Sequence, residues 1–202
     1  MNVEKRAIRR ALRARREQLP SASVKDASAQ VCAQLRSFPP IQLAASVVAY
    51  VADENEIDVG PLLDEIVRSG RRLFVPQNIA GPALIRWRPG SPLAVGRGGV
   101  LEPADGVPAI PPDPAVALLP MVAWDEAGTR LGRGGGFYDR LFAGLAVDIL
   151  RIGLAYEFQR CTELPRDAWD IPVHYVITER RMVRCRHHQL SGAPLQKGGL
   201  QP

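Results

Sequence analysis

Four short runs of this chain, at residues 46–51, 73–75, 115–123 and 149–154, are apolar almost throughout rather than at alternate positions. A strand with one wet face alternates; a strand with no wet face does not, and such strands belong to parallel sheets covered on both sides. Between the runs lie helical patterns. Pro61 suits the first turn of a helix that buries Leu62, Leu63, Ile66 and Val67 and ends at Gly70. Runs and helices alternate at βαβ spacing. The expected fold class is therefore α/β: a single domain with a mainly parallel sheet and helices on both faces, a Rossmann-like three-layer arrangement.

The remaining segments fill in around this frame. Residues 3–19 read as an amphipathic helix with Val3, Ala7, Ile8, Ala11, Leu12 and Leu19 on one face and the arginines on the others. Residues 21–38 read as a second helix, capped by Ser21 or Ser23 and ended by Pro39-Pro40. Residues 76–114 are rich in proline and glycine and offer one clear strand, near 83–88, so they are expected to be mostly loop. A helix is expected at 137–145 and a last strand at 173–178. The domain is expected to span 1–185, with 186–202, including His187-His188, as a disordered tail.

Charge narrows the function classes. The formal net charge is +5, and residues 1–20 alone carry seven basic side chains against two acids. The other 182 residues are therefore neutral overall, which counts against a diffuse nucleic-acid-binding surface. A nucleic-acid module using the basic first helix is the rival from outside enzymes, and it lacks interleaved aromatic residues. A transit peptide is disfavoured by Glu4 and Glu17 and by direct continuation into another helix. No apolar run nears the roughly 20 residues of a membrane span. Three cysteines without C-x-x-C spacing argue against a disulfide scaffold or zinc site. A cytoplasmic monomer is the expectation, with no nucleic-acid or membrane partner.

The densest chemical signal is Arg130-Leu131-Gly132-Arg133-Gly134-Gly135-Gly136-Phe137-Tyr138-Asp139-Arg140, between an expected strand and an expected helix. Open α/β sheets bind ligands in that region. Four glycines in five residues let backbone N–H groups turn toward an oxyanion, and the helix start adds partial positive charge. Arg130 and Arg133 offer planar forks for phosphate oxygens, and Asp139 is a hard oxygen ligand suited to Mg²⁺. The Lys-Ser/Thr ending of a P-loop is absent.

This motif resembles the signature of the 5-formyltetrahydrofolate cyclo-ligase (5,10-methenyltetrahydrofolate synthetase) family. The likeness extends to a Lys-x-x-x-Arg helix at Lys5 to Arg9, to Glu56-Ile57-Asp58 after a strand, and to an Asp-x-x-Gly-x-Arg lead-in from Asp125 to Arg130. It covers roughly residues 4–181. The resemblance implies closure of 5-formyltetrahydrofolate to 5,10-methenyltetrahydrofolate using ATP and Mg²⁺, with ADP and phosphate released. It assigns ATP binding to Lys5, Arg9 and the cradle Arg130, Leu131, Gly132, Arg133, Gly134, Gly135, Gly136, Phe137 and Tyr138. Substrate binding falls to Val51, Glu56, Arg133, Gly134, Gly135, Gly136 and Phe137, catalysis to Arg133 and Tyr138, and the metal to Asp139.

That chemistry suits these residue types. A formyl oxygen becomes a leaving group once phosphorylated, and the protein need mainly align the γ-phosphate and neutralise its charge. No Ser/His/Asp or Cys/His set is required. Two departures stand out. The family commonly carries Asp-x-Pro-x-Asp near the C-terminal end, whereas this chain reads Asp170-Ile171-Pro172-Val173-His174, and imidazole is a poor Mg²⁺ ligand. Phe137 replaces the more usual Tyr. Trp124 has two readings, stacking on a pterin or packing in the core. Another ATP-dependent phosphoryl transferase on the same scaffold is the rival within enzymes.

Overall fold

The computed structural model describes residues 3–78, 81–96, 99–145 and 147–186. The expected tail, apart from Arg186, lies outside them. The order is α1 (Val3–Glu17), α2 (Ser21–Ser37), α3 (Pro39–Leu43), β1 (Ser46–Val48), α4 (Gly60–Arg68), β2 (Arg72–Gln77), β3 (Ala83–Arg86), β4 (Leu93–Val95), β5 (Leu101–Pro103), β6 (Ala115–Pro120), β7 (Ala123–Trp124), β8 (Arg130–Leu131), α5 (Phe137–Ala143), β9 (Ile149–Leu154), β10 (Tyr175–Ile177) and β11 (Met182–Arg184). Seven strands form one sheet in the order β11-β10-β9-β6-β1-β2-β3. Its five inner strands are parallel, and only β3 and β11 at the edges run antiparallel.

The continuous apolar runs do what the pattern requires. Along β1, β2 and β6, Val47, Leu73, Val116 and Leu118 point to one face, where they pack with Val31 and Leu35 of α2 and Leu62, Leu63 and Ile66 of α4. Val48, Phe74, Ala117 and Leu119 point to the other, where Leu141 of α5 meets them. Both faces are dry, so no position along these strands can be polar without a partner. In α4, Pro61 lies in the first turn and Gly70, at φ +83°, takes the left-handed conformation just past the helix.

Five expectations need correction. The first helix does not bury Val3, which is 71% exposed; Ile8 and Leu12 pack instead on Ala123, Leu131 and Leu164, and the residues α1 buries are Lys5 and Arg16. Charge partners, together with that small apolar contact, hold this helix. Neither Ser21 nor Ser23 caps α2, because the helix begins at Ser21 and extended Pro20 occupies the cap position without a side-chain bond. Pro39-Pro40 ends α2 but also starts the short α3, where proline is tolerated in the first turn. The segment 76–114 contains a β4–β5 hairpin beyond its expected strand; the Gln77 amide donates to the Pro103 carbonyl at 2.7 Å and fastens the hairpin to β2. The three-residue strands β10 and β11 are too brief for periodicity to resolve, so the second was missed and the first was expected too long.

Candidate active site

A cavity of about 680 Å³ opens beyond the carboxyl ends of β1, β2 and β6. The α1 helix closes one side through Lys5, Arg9 and Arg13, and the loop after β1 adds Val51 and Glu56. The glycine-rich loop from Arg130 to Arg140 lines it without a break, and β5 supplies the far wall. Every residue the motif and resemblance singled out for ATP, substrate, catalysis or metal lies on this one cavity.

The loop is held in place by its lead-in. β7 and β8 pair antiparallel around the turn Asp125-Glu126-Ala127-Gly128. Asp125 is buried, and its carboxylate accepts N–H bonds from Ala127, Thr129 and Leu164, each at 3.0 Å. Charge satisfied by three backbone donors makes this a rigid lever for Arg130. Past β8 the chain turns through Gly134 (φ +106°) and Gly136 (φ +60°), conformations that side chains resist. Arg9 Nε donates to the Gly132 carbonyl at 2.8 Å, joining α1 to the loop. The following helix, α5, has seven residues and stops at Ala143 rather than 145. So short a helix contributes little dipole, and the arginines supply the positive field.

Two ion-pair clusters set the electrostatics. In the first, Arg133 meets Asp53 at 3.3 Å and Glu56 at 3.2 Å, and Arg16 lies 3.6 Å from Glu56. Burial raises the Glu56 carboxyl above its ordinary value, and Arg133 and Arg16 pull against that rise. Glu54 and Asn55 are left-handed (φ 49° and 57°), and the Asn55 amide donates to the carbonyls of Arg16, Glu17 and Leu19. These carbonyls lie at and just past the end of α1, so the turn both caps the helix and presents the carboxylates. In the second cluster, Lys5 Nζ lies 2.7 Å from Asp167 and 2.6 Å from Asp170. Burial works against the Lys5 ammonium, but the two carboxylates outweigh it and leave its pKa above the usual 10.5.

Nearby, Arg130 Nη2 meets Asp139 Oδ1 at 2.7 Å, and the same oxygen accepts the Ile171 N–H at 3.0 Å. The Arg130 guanidinium carbon sits 5.8 Å from the centre of the Tyr138 ring. Burial raises the Tyr138 phenol well above its ordinary pKa, so near neutral pH it is a hydrogen-bond donor. His174 is elsewhere: its Nδ1 accepts the Arg151 N–H at 2.8 Å, its Nε2 lies 2.9 Å from Arg151 Nη2, and it does not line the cavity. Trp124 is fully buried and donates from Nε1 to the Tyr156 carbonyl at 3.3 Å. It is a core residue, and the pterin-stacking alternative falls.

Sequence reasoning missed Asp53, Asp167, Trp169 and Glu102 as cavity or network residues. The spacing of Asp167 and Asp170 was a usable signal for a lysine clamp; the others depend on contacts far apart in the chain. The Lys5 clamp has a pH signature. Burial alone would raise the Asp170 carboxyl, but the Lys5 hydrogen bond and the Asp167 N–H bring it below the usual 3.8. A depressed carboxylate contributes stability above its unfolded pKa and loses it as pH falls through the folded one. Lys5→Met should therefore lower the Tm near pH 6, and the gap to wild type should shrink below about pH 3.8, where protonation dissolves the clamp anyway. A gap constant from pH 6 to pH 2 by circular dichroism would contradict the clamp.

Against known proteins, the 5-formyltetrahydrofolate cyclo-ligase family profile matches residues 1–179. The Escherichia coli K12 5-formyltetrahydrofolate cyclo-ligase is 32% identical over 178 residues, spanning 85% of this chain and 98% of the relative. The Mycolicibacterium smegmatis enzyme of the same name is also 32% identical, spanning 88% and 94%. The solved Aquifex aeolicus 5,10-methenyltetrahydrofolate synthetase superposes with a TM-score of 0.78 at 33% identity, covering 98% of this chain and 99% of that one. A Mycoplasma pneumoniae synthetase shares the fold, with a TM-score of 0.71 at 20% identity and coverage of 88% and 99%. The chain belongs to the 5-formyltetrahydrofolate cyclo-ligase family.

Proposed function

We propose that this family member uses ATP and Mg²⁺ to close 5-formyltetrahydrofolate into 5,10-methenyltetrahydrofolate, releasing ADP and phosphate. The observation that carries the reading is the joining, on one cavity, of the α1 cations, the glycine-rich loop and a buried carboxylate beside β1. On this reading residues 1–185 form one catalytic domain that acts as a cytoplasmic monomer, with these two small molecules as its partners and no nucleic acid or membrane.

The formyl oxygen attacks the γ-phosphorus and ADP departs. N10 then attacks the activated formyl carbon, phosphate leaves with the former formyl oxygen, and the N10 proton goes to solvent. Arg130 and Arg133 neutralise the transferring group, and backbone N–H groups of Gly134 to Gly136 hold phosphate oxygens. Lys5 and Arg9 bind the remaining phosphates, and Lys5 exchanges Asp167 and Asp170 for them. Tyr138 donates its hydroxyl proton in a hydrogen bond to an oxygen that gains charge. Val51 and Glu56, with residues 133–137, contact the folate.

The donor chemistry fits Mg²⁺ held mainly by phosphate. Asp139 offers a hard oxygen on the cavity wall, whereas no cluster of three His, Cys, Asp or Glu ligands exists among the described residues. When bound, Mg²⁺ neutralises and aligns phosphate oxygens. His174 takes no part, because both ring nitrogens face Arg151.

The test is turnover by purified protein, followed by methenyl absorbance and ADP. Wild type should form product only with ATP. Asp139→Ala should lower turnover by about 100-fold or more, as loss of one charge-stabilising group typically does, and should raise the Mg²⁺ concentration needed. His174→Asp should leave the Mg²⁺ requirement unchanged. Absence of ATP-dependent product from folded wild type would refute the assignment.

A further inference from the structure

Five carboxylates line the cavity: Glu56, Glu102, Asp139, Asp167 and Asp170. Four are ion-paired, to Arg133 and Arg16, to Arg130, and to Lys5. Glu102 has no cation partner among the described residues. It is 7% exposed, so little of its surface reaches water. Its placement is also tight. Oε2 accepts the Asn78 N–H at 2.8 Å, while Oε1 takes no hydrogen bond among the described residues. Across the hairpin the carboxylate lies on Gly96, where an added Cβ would fall 2.1 Å from Oε1. A glycine at that point leaves the room the charge occupies. The result is a buried, fixed acceptor on a binding wall, of the kind that selects for a ligand donor.

The sheet order indicates which ligand. β6, β1 and β2 lie side by side. The phosphate-directed loop follows β6, Val51 and Glu56 follow β1, and Glu102 stands over the end of β2. Glu102 is thus beyond the folate-directed residues, on the side away from the loop. Of the two substrates proposed above, folate lies on that side, and its donor-rich part is the 2-amino and N3–H edge of the pteridine. We propose, resting on that function, that Glu102 accepts hydrogen bonds from this edge and is a specificity-determining residue for the pteridine, with Gly96 as the residue that permits its placement.

Binding of 5-formyltetrahydrofolate and of ATP to the intact protein, measured separately by calorimetry, tests this. Glu102→Gln keeps an oxygen for the Asn78 N–H but turns an amide donor toward the ligand. It should weaken folate by about 10- to 100-fold, the loss expected for a hydrogen bond to a charged group. ATP affinity and Tm should stay near wild type. Gly96→Ala keeps the charge but displaces it, and should give the same folate-selective loss. An analogue lacking the 2-amino group should bind wild type poorly, while Glu102→Gln should barely distinguish it from the parent.

Equal weakening of both ligands, or a fall in Tm that accounts for the loss, would reduce Glu102 to a structural tie and overturn the assignment. Weakening of ATP alone would overturn it in favour of a ribose or adenine contact. An equal penalty for the analogue in both proteins would overturn it too. A wild type that binds no 5-formyltetrahydrofolate would refute the proposed function first, and this assignment with it.

Discussion

Arg133→Leu is expected to lower kcat/KM for ATP-dependent cyclisation by about 10³-fold or more, the range found when an arginine that stabilises a transferring phosphoryl group is removed. The guanidinium is held from below by Asp53, Glu54 and Glu56, at 3.3, 3.7 and 3.2 Å. Three carboxylates fix its plane before any substrate arrives, so little ordering remains to be done during reaction. Arg133→Lys should recover only a small part of the loss, because a single ammonium cannot span Asp53 and Glu56 and still face a phosphate. Some of the leucine effect comes from Glu56, whose side chain is 6% exposed and would keep Arg16 at 3.6 Å as its charge partner, beside the Asp53 N–H at 3.3 Å. Adding Glu56→Gln to Arg133→Leu separates the two: it should restore stability without restoring turnover. Steady-state kinetics within tenfold of wild type for Arg133→Leu would remove this residue from the chemistry.

Gly128→Ala should produce the largest loss of stability among single-atom changes near the site. Gly128 has φ +99°, and its Cβ would lie 2.6 Å from the Val173 carbonyl and 3.0 Å from Cys185 Cβ. Left-handed backbone costs a substituted residue about 1–2 kcal/mol, and overpacking against main chain adds about 1–3 kcal/mol. At roughly 2–4 °C per kcal/mol for a domain of this size, the Tm should fall by about 10 °C. The Gly128 carbonyl also accepts the Val173 N–H at 3.0 Å, so relief of the clash would pull the chain before β10 away from the lead-in turn. A thermal shift below about 2 °C would show that the turn can move aside at little cost.

Much of the fold was legible because burial on both sheet faces writes an unbroken apolar run, as in Ala115 to Leu119. The site loop was legible for a different reason: a chain that turns through left-handed backbone, as at Gly134 and Gly136, needs glycine, and the requirement is local. What could not be read were long-range charge pairs. Lys5 and Arg16 look like solvated members of an arginine-rich helix, yet they are the residues α1 buries, because Asp167, Asp170, Glu54 and Glu56 wait across 38 to 165 positions of chain. His174 illustrates the converse. The family resemblance places it at a ligand position, but its ring is committed to Arg151 on the neighbouring strand. Glu102 carried no local signal, since its meaning depends on Gly96 lying across a hairpin that proline and glycine content concealed.

The central claim is that the formyl oxygen itself is phosphorylated on the cradle formed by α1 and the glycine-rich loop. Its most direct test uses 5-formyltetrahydrofolate labelled with ¹⁸O in the formyl group, turned over by wild-type protein with ATP and Mg²⁺, followed by mass analysis of the phosphate. Transfer of the label into inorganic phosphate, one atom for each methenyl product formed, is the predicted result. Methenyl product with unlabelled phosphate and the ¹⁸O recovered in water would contradict it.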